Sequence, residues 1–383
     1  MRRAATVVAV LLSAGLLFGC APDESAETET PVPDPSSPEE TTSPTPTPTS
    51  SPAERAVADM SVEDRAASVV MGTVATTDVT TLNDYMAHGY GGFILMSENV
   101  PATADELREV TSSLVVDEGM PPLIAIDQEG GVVTRLPWDD AATAQALQSL
   151  PASETRAAFD RRGELVADAG ANVNFGVVAD VPADAGSFIA PRALGTDPAS
   201  AAERVTAAVE GEAAHVFSTL KHFPGHGPAP GDSHHSIPST GMSLEDWHDA
   251  DAVPFEAGID AGAELLMFGH LAYTAVDEAP ASLSARWHEI ARDDLGFDGV
   301  MITDDLGMLA SSGDAAYADP VANAVDAITA GNDMVLMIAT STPDTAGDIA
   351  DGIAQAVEAG ELPADRLRDA AEHVAALRLE SAE

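Results

Sequence analysis

A (β/α)8 barrel of the TIM type is the fold this sequence predicts. Apolar, β-branched segments alternate with amphipathic helical patterns, which argues for a parallel sheet flanked by helices. Eight such segments fall within about 270 residues, the scale of one barrel. Polar residues gather where segments end, at Asp127, Lys221, His222, His270, Asp304 and Asp305, and in a barrel those ends open on one face. An open doubly wound sheet is the runner-up, but the Gly-rich dinucleotide turn that would favour it is missing after the first strand.

The chain opens Met1-Arg2-Arg3, runs apolar from Ala4 to Phe18, and reaches Gly19 and Cys20, its single cysteine. A basic start and a short apolar core read as an export signal over residues 1–19, too short for an ordinary spanning helix. A small residue before the cysteine resembles a bacterial lipobox, so Cys20 is the expected lipid attachment point. With one cysteine no intrachain disulfide can form, and the fold must rest on its core. Residues 20–56 are expected to be a disordered tether: nine prolines lie between positions 21 and 56, among Ser, Thr and Glu with almost nothing apolar. Such a tether reaches on the order of 30 to 110 Å. The expected address of the folded part, residues 57–383, is the cell envelope, lipid-anchored outside the cytoplasm, as a monomer.

The formal charge is −46, from 63 acidic and 17 basic residues. That excludes a nucleic-acid partner, which needs a basic footprint. It also argues against electrostatic docking on anionic lipid, so any membrane attachment should be covalent.

The strands are expected at Ala67–Val74, Gly91–Met96, Pro122–Asp127, Val173–Asp180, Ser218–His222, Glu264–His270, Gly299–Asp304 and Asp333–Ile338. Between them, Thr103 with Glu106 forms a capping-box pattern, and Ser61 with Asp64 a weaker one.

Lys221–His235 is the densest polar stretch. It holds four of the ten histidines and the only lysine. Arginine serves everywhere else, so a compact ammonium at Lys221 suggests a site with demanding geometry. Asp304 emerges from a buried strand and can be a nucleophile, a base or a metal ligand. Asp305 should point to the other side, since strand neighbours alternate, and fill a structural role. In Asp232-Ser233-His234, a carboxylate two residues from an imidazole can orient the ring and leave the other nitrogen for proton transfer; a solvated polar turn is the plainer alternative. His222 and His226 have the spacing of a helical zinc pair, but Pro224 and Gly225 between them break a helix and Lys221 would repel a cation. No metal or cofactor is expected. Asp127-Gln-Glu-Gly-Gly-Val-Val-Thr-Arg135 lets backbone approach a ligand between polar ends. Arg135 and Arg192 are candidate clamps, or structural ion pairs.

These residues resemble glycoside hydrolase family 3, in its single-domain β-N-acetylglucosaminidase subgroup. The likeness covers nearly all of residues 57–380. It rests on Gly91-Gly-Phe-Ile-Leu-Met, Asp127-Gln-Glu-Gly-Gly with Arg135, Arg192-Ala-Leu-Gly-Thr-Asp-Pro, Lys221-His-Phe-Pro-Gly-His-Gly, Asp232-Ser-His, Met267-Phe-Gly-His270, Leu295-Gly-Phe-Asp-Gly-Val-Met-Ile-Thr-Asp304-Asp-Leu and Ala330-Gly-Asn-Asp-Met. The resemblance implies one catalytic barrel and a retaining hydrolase that releases terminal N-acetylglucosamine from peptidoglycan fragments or chitin oligomers. Asp304 would be the nucleophile and His234, held by Asp232, the acid and then the base. Asp127, Arg135, Arg192, Lys221 and His222 would hold the terminal sugar. Relatives acting on glucosides often take a glutamate acid from a second domain. Here the chain ends soon after its eighth βα unit, so a barrel loop is expected to supply the acid. Phosphorolysis is one alternative and a non-catalytic glycan-binding lipoprotein another. Two departures stand out. Pro228-Ala229, with Pro230 following, replaces the usual Asp-Thr, which should stiffen the loop, and His235 adjoins His234.

Overall fold

A computed structural model describes residues 50–382 apart from position 234. The export signal, Cys20, most of the tether and His234 therefore lie outside the described residues. Residues Ser50–Glu383 form one compact unit. Among the described residues, no helix is long and apolar enough to cross a membrane.

Eight parallel strands close into a barrel in chain order: β1 Val70–Gly72, β2 Gly92–Leu95, β3 Leu123–Ile126, β4 Val173–Val178, β5 Phe217–Phe223, β6 Leu265–Phe268, β7 Val300–Asp305 and β8 Met334–Leu336. β8 returns to β1 through the pairing of Val335 with Val70, which leaves the barrel sheet no free edge. Helices follow the strands, among them Val79–Met86, Ala104–Leu114, Ala152–Asp168, Pro198–Glu212, Pro320–Ala330 and Thr345–Ala359.

Strand alternation builds the interior. Leu123 and Ala125 of β3, Phe175 of β4, Leu265 and Met267 of β6, and Val300 and Ile302 of β7 join one buried cluster. Their neighbours Ile124, Ile126 and Met301 belong to the clusters packed against the helices. Each of the larger of these buried side chains, the Leu, Val, Ile, Met and Phe, contributes about 1.5–3 kcal/mol. Val374 and Leu377 of the last helix, Ala364–Glu380, join the barrel cluster.

The folded unit begins before residue 57, which corrects the expected tether at its end. Ser51 accepts from the Glu54 N–H at 3.0 Å, and the Glu54 carboxylate accepts from the Ser51 N–H at 2.5 Å. Helix Pro52–Ala58 follows and buries Ala53 and Val57 in the core. Pro52 is favourable in a first helical turn, where its missing N–H costs nothing. The Ser61–Asp64 box also forms and starts helix Val62–Ser68; that helix takes the beginning of the expected Ala67–Val74 strand. Ser239–Thr240 and Ala272–Tyr273 form an extra two-stranded parallel pair, too short to leave a periodic signal.

Candidate active site

The same alternation places the polar residues. Asp127 lies two positions beyond Ala125, and Asp304 two beyond Ile302, so each carries on the inward-facing series of its strand. Lys221 does the same on β5. There the register with β6 shifts between Leu220 and Phe223, an irregularity that re-aims a side chain. His222 thus reaches the same cavity as Lys221, while Leu220 and Phe223 pack in the helix-side core. The Lys221–His222 and Phe223–Pro224 peptide bonds are cis. Phe223 meets the rings of Trp247, Phe255, Phe268 and Trp287 edge-on, with centroids 4.9–5.8 Å away. That cluster fixes the end of β5.

The resulting cavity holds about 480 Å³, and Asp127, Arg135, Arg192, Lys221, His222 and Asp304 all line it. Ser233 reaches its wall as well, which brings the Asp232-Ser233 segment to the site. Asp232 is half-buried, and its carbonyl accepts from the His235 N–H at 3.2 Å.

Lys221 Nζ donates to Asp127 Oδ1 and lies 2.8 Å from Glu129 Oε1. Arg135 grips the other Asp127 oxygen at 3.2 Å, and its Nε is buried with no hydrogen-bond partner, a donor available to a ligand. Arg192 clamps Glu129 in bidentate fashion at 2.9 and 2.7 Å. Burial pushes the Asp127 carboxyl up, but Lys221 and Arg135 outweigh it and hold it at about 2. Glu129, opposed by burial and favoured by Lys221 and Arg192, is held low in the same way. Burial disfavours the Lys221 ammonium, yet the two carboxylates raise its pKa.

Asp180, just past β4, organises the other wall. Its Oδ2 meets His222 Nδ1 at 2.7 Å, and its Oδ1 accepts from the backbone N–H of His222 at 3.2 Å and of His226 at 2.6 Å. Burial opposes its charge, but His222 and His226 bring it to about 2. Arg192 lies 3.2 Å from His222 Nε2. A guanidinium can only donate, so Nε2 accepts and the ring proton sits on Nδ1, facing Asp180. Both nitrogens of His222 are thereby engaged. His226 turns to Ser233 Oγ at 3.1 Å.

Burial would raise the Asp304 carboxyl; His222, His270, the Asp305 N–H and Lys221 reverse this and keep it below its usual range. Asp305 also lines the cavity, against the expectation that it points away, while its carboxylate takes a structural role. Its oxygens accept from the N–H groups of Gly307, Ile338 and Ala339 at 2.9, 2.7 and 2.9 Å. His270, at one of the expected strand ends, is not among the cavity's lining residues; it contacts Ser282 Oγ at 2.7 Å and donates to the Asp305 carbonyl at 2.8 Å.

Residues 61–377 match the glycosyl hydrolase family 3 N-terminal domain. This chain belongs to that family. A β-hexosaminidase of Bordetella avium (strain 197N) is 35% identical over 271 residues, covering 68% of this chain and 76% of the relative. One from Pseudomonas aeruginosa (strain LESB58) is 36% identical over 262 residues, 64% of this chain and 74% of its own. Among solved structures, a family 3 β-N-acetylglucosaminidase from Paenibacillus sp. str. FPU-7 superposes with a TM-score of 0.77 at 28% identity. It covers 84% of this chain but 62% of that longer protein. A β-N-acetylhexosaminidase from Beutenbergia cavernae DSM 12333 gives a TM-score of 0.73 at 30% identity, over 84% of this chain and 99% of the other. The protein is a glycoside hydrolase. Glu129, Asp180 and His226 of this family 3 site were not among the residues expected to form it, although Asp180 obeys the strand-end rule that marked Asp127.

Proposed function

We propose that the protein is an exo-acting β-N-acetylglucosaminidase that works with retention of configuration. The observation that carries this reading is Asp304: an inward carboxylate kept ionised, at the wall of a monosaccharide-sized cavity that Asp127, Arg135, Lys221 and His222 also line. The names of the relatives from Bordetella and Paenibacillus support the hexosaminidase specificity. Asp304 attacks the anomeric carbon and the bond to the leaving oxygen breaks. His234, oriented by Asp232, gives that oxygen its proton, then takes one from water, which attacks the same carbon and frees Asp304. Asp127, Arg135, Arg192, Lys221 and His222 hold the terminal sugar. The substrates are peptidoglycan fragments or chitin oligomers. The enzyme acts in the cell envelope, anchored through a lipid on Cys20.

The test is release of N-acetylglucosamine from a chromogenic β-glycoside. Activity should collapse in Asp304→Ala and fall strongly in His234→Ala, with the β-anomer formed first. In phosphate buffer the product should be free sugar, not sugar 1-phosphate. Full activity in Asp304→Ala, or an inverted product, ends the proposal.

A further inference from the structure

A second cavity, of about 320 Å³, opens beside the first at the ends of β1, β2 and β8. Met96 and Ile338 line both, so the two adjoin across a shared wall. Thr73, Glu98, Asn99, Ser341 and Thr342 provide its polar surface.

This second cavity is braced. Asn99 is fully buried. Its Oδ1 accepts from Thr73 Oγ1 at 3.1 Å and from the Met96 N–H at 3.2 Å, and its Nδ2 donates to the Thr76 carbonyl at 2.9 Å and to that of Val74. One side chain thus ties the end of β1 to the end of β2. On the β8 side, Thr340 has φ 61°, the only positive value outside glycine among the described residues. A β-branched residue there is strained, and such strain clusters at ligand sites. Next to it, Ser341 Oγ is shielded from solvent with no hydrogen-bond partner. A buried hydroxyl without a partner calls for one, and a ligand hydroxyl supplies it.

The charge of the cavity selects the ligand. Glu98, exposed, is the single charged residue of its lining. The cations of the neighbouring cavity, Arg135, Arg192 and Lys221, are each already held by Asp127 or Glu129. We infer that the second cavity receives the leaving-group sugar, and that it favours an uncharged polyol over one bearing a carboxylate. This rests on the hexosaminidase reading above. Within that reading it assigns N-acetylglucosamine oligomers, rather than sugars linked to muramic acid, as the preferred substrates.

The experiment measures kcat/KM for N,N′-diacetylchitobiose, for N-acetylglucosaminyl-N-acetylmuramic acid and for a 4-nitrophenyl glycoside. Wild type should prefer diacetylchitobiose. Glu98→Gln should raise the muramyl-to-chitobiose ratio about threefold, the size of one partly screened charge contact. Higher salt should narrow the wild-type preference. Asp105→Asn, on the exposed helix Ala104–Leu114, should change nothing. A wild-type preference for the muramyl disaccharide, or a ratio indifferent to Glu98→Gln, overturns the inference while nitrophenyl cleavage leaves the hexosaminidase reading standing. Cleavage of none of the three substrates overturns both.

Discussion

Lys221 Nζ and Glu129 Oε1 stand 2.8 Å apart with almost no solvent access, the lysine side chain 3% exposed and the glutamate 1%. The same ammonium serves Asp127. A point charge on a thin stem fits between two carboxylates where a planar fork does not, which accounts for the only lysine in a chain otherwise served by arginine. Lys221→Arg should therefore behave as a severe change. We expect kcat/KM on the chromogenic glycoside to fall at least about a hundredfold, equivalent to ~2.7 kcal/mol. Wild-type activity in the variant would show that charge alone suffices.

The Asp180–His222 pair sets which ring nitrogen carries the proton. In Asp180→Asn the amide can offer an N–H to Nδ1, which moves the ring proton to Nε2 and points it at Arg192. A loss of about 10- to 100-fold in activity is expected, on the scale of other groups that orient a functional histidine. Acid stability should change as well. The native Asp180 carboxyl lies at about 2 against an ordinary 3.8, so its stabilisation is present above about pH 4 and lost on acidification toward pH 2. The Asn variant should lose less stability than wild type over that window in denaturant titrations. Identical acid dependence would dissociate the pair from folding.

Asp127, Lys221 and Asp304 were legible because each stands at the end of an apolar, strand-like segment. Asp180 ends the expected Val173–Asp180 segment as well, but it lies among Val178, Ala179, Val181 and Pro182 with no polar motif to mark it, and the register shift between Asn174 and Val177 hides its aim from simple alternation. Glu129 lies in a loop, where no period exists. Its signal was indirect: a buried lysine needs more counter-charge than Asp127 alone supplies. His222 was visible as part of a motif, but its aim depends on the shift between Leu220 and Phe223. At the start of the folded unit, prolines outweighed the Ser51–Glu54 capping box, since composition averages over a window and a cap is a local bond. The bracing of the second cavity by Asn99 joins loops far apart in sequence, at separations of 23 to 26 residues, and left no sequence pattern.

Asp305 adjoins the proposed nucleophile yet acts on stability. Asp305→Ala removes the acceptor for three backbone N–H groups, two of them just after β8. Leaving such groups unpaired costs about 1–3 kcal/mol each, so a large drop in Tm is expected. Asp305→Asn keeps one oxygen and should fall between Ala and wild type, with activity per folded molecule within about tenfold of normal. A stable Asp305→Ala protein that is fully inactive would instead place Asp305 in the chemistry.

Glu212 predicts the opposite pH response. It is fully buried; Asn174 donates to one oxygen and Ser218 Oγ to the other, the latter at 2.9 Å. Burial dominates these contacts and lifts its pKa to about 8 from an ordinary 4.5. The native state therefore holds a proton between about pH 4.5 and 8 that the unfolded chain has released. Stability should fall as pH rises through that window, by up to about 1.4 kcal/mol per pH unit for this one group. Asp251 and Glu264, each raised to about 7 chiefly by burial, add to the same trend, so the informative quantity is a difference between proteins. Glu212→Gln is isosteric and carries no titrating proton. Its unfolding free energy should gain on wild type steadily from pH 5 to pH 8 in parallel denaturant titrations. Two curves that remain parallel across the range would mean that Glu212 is already ionised in the native barrel.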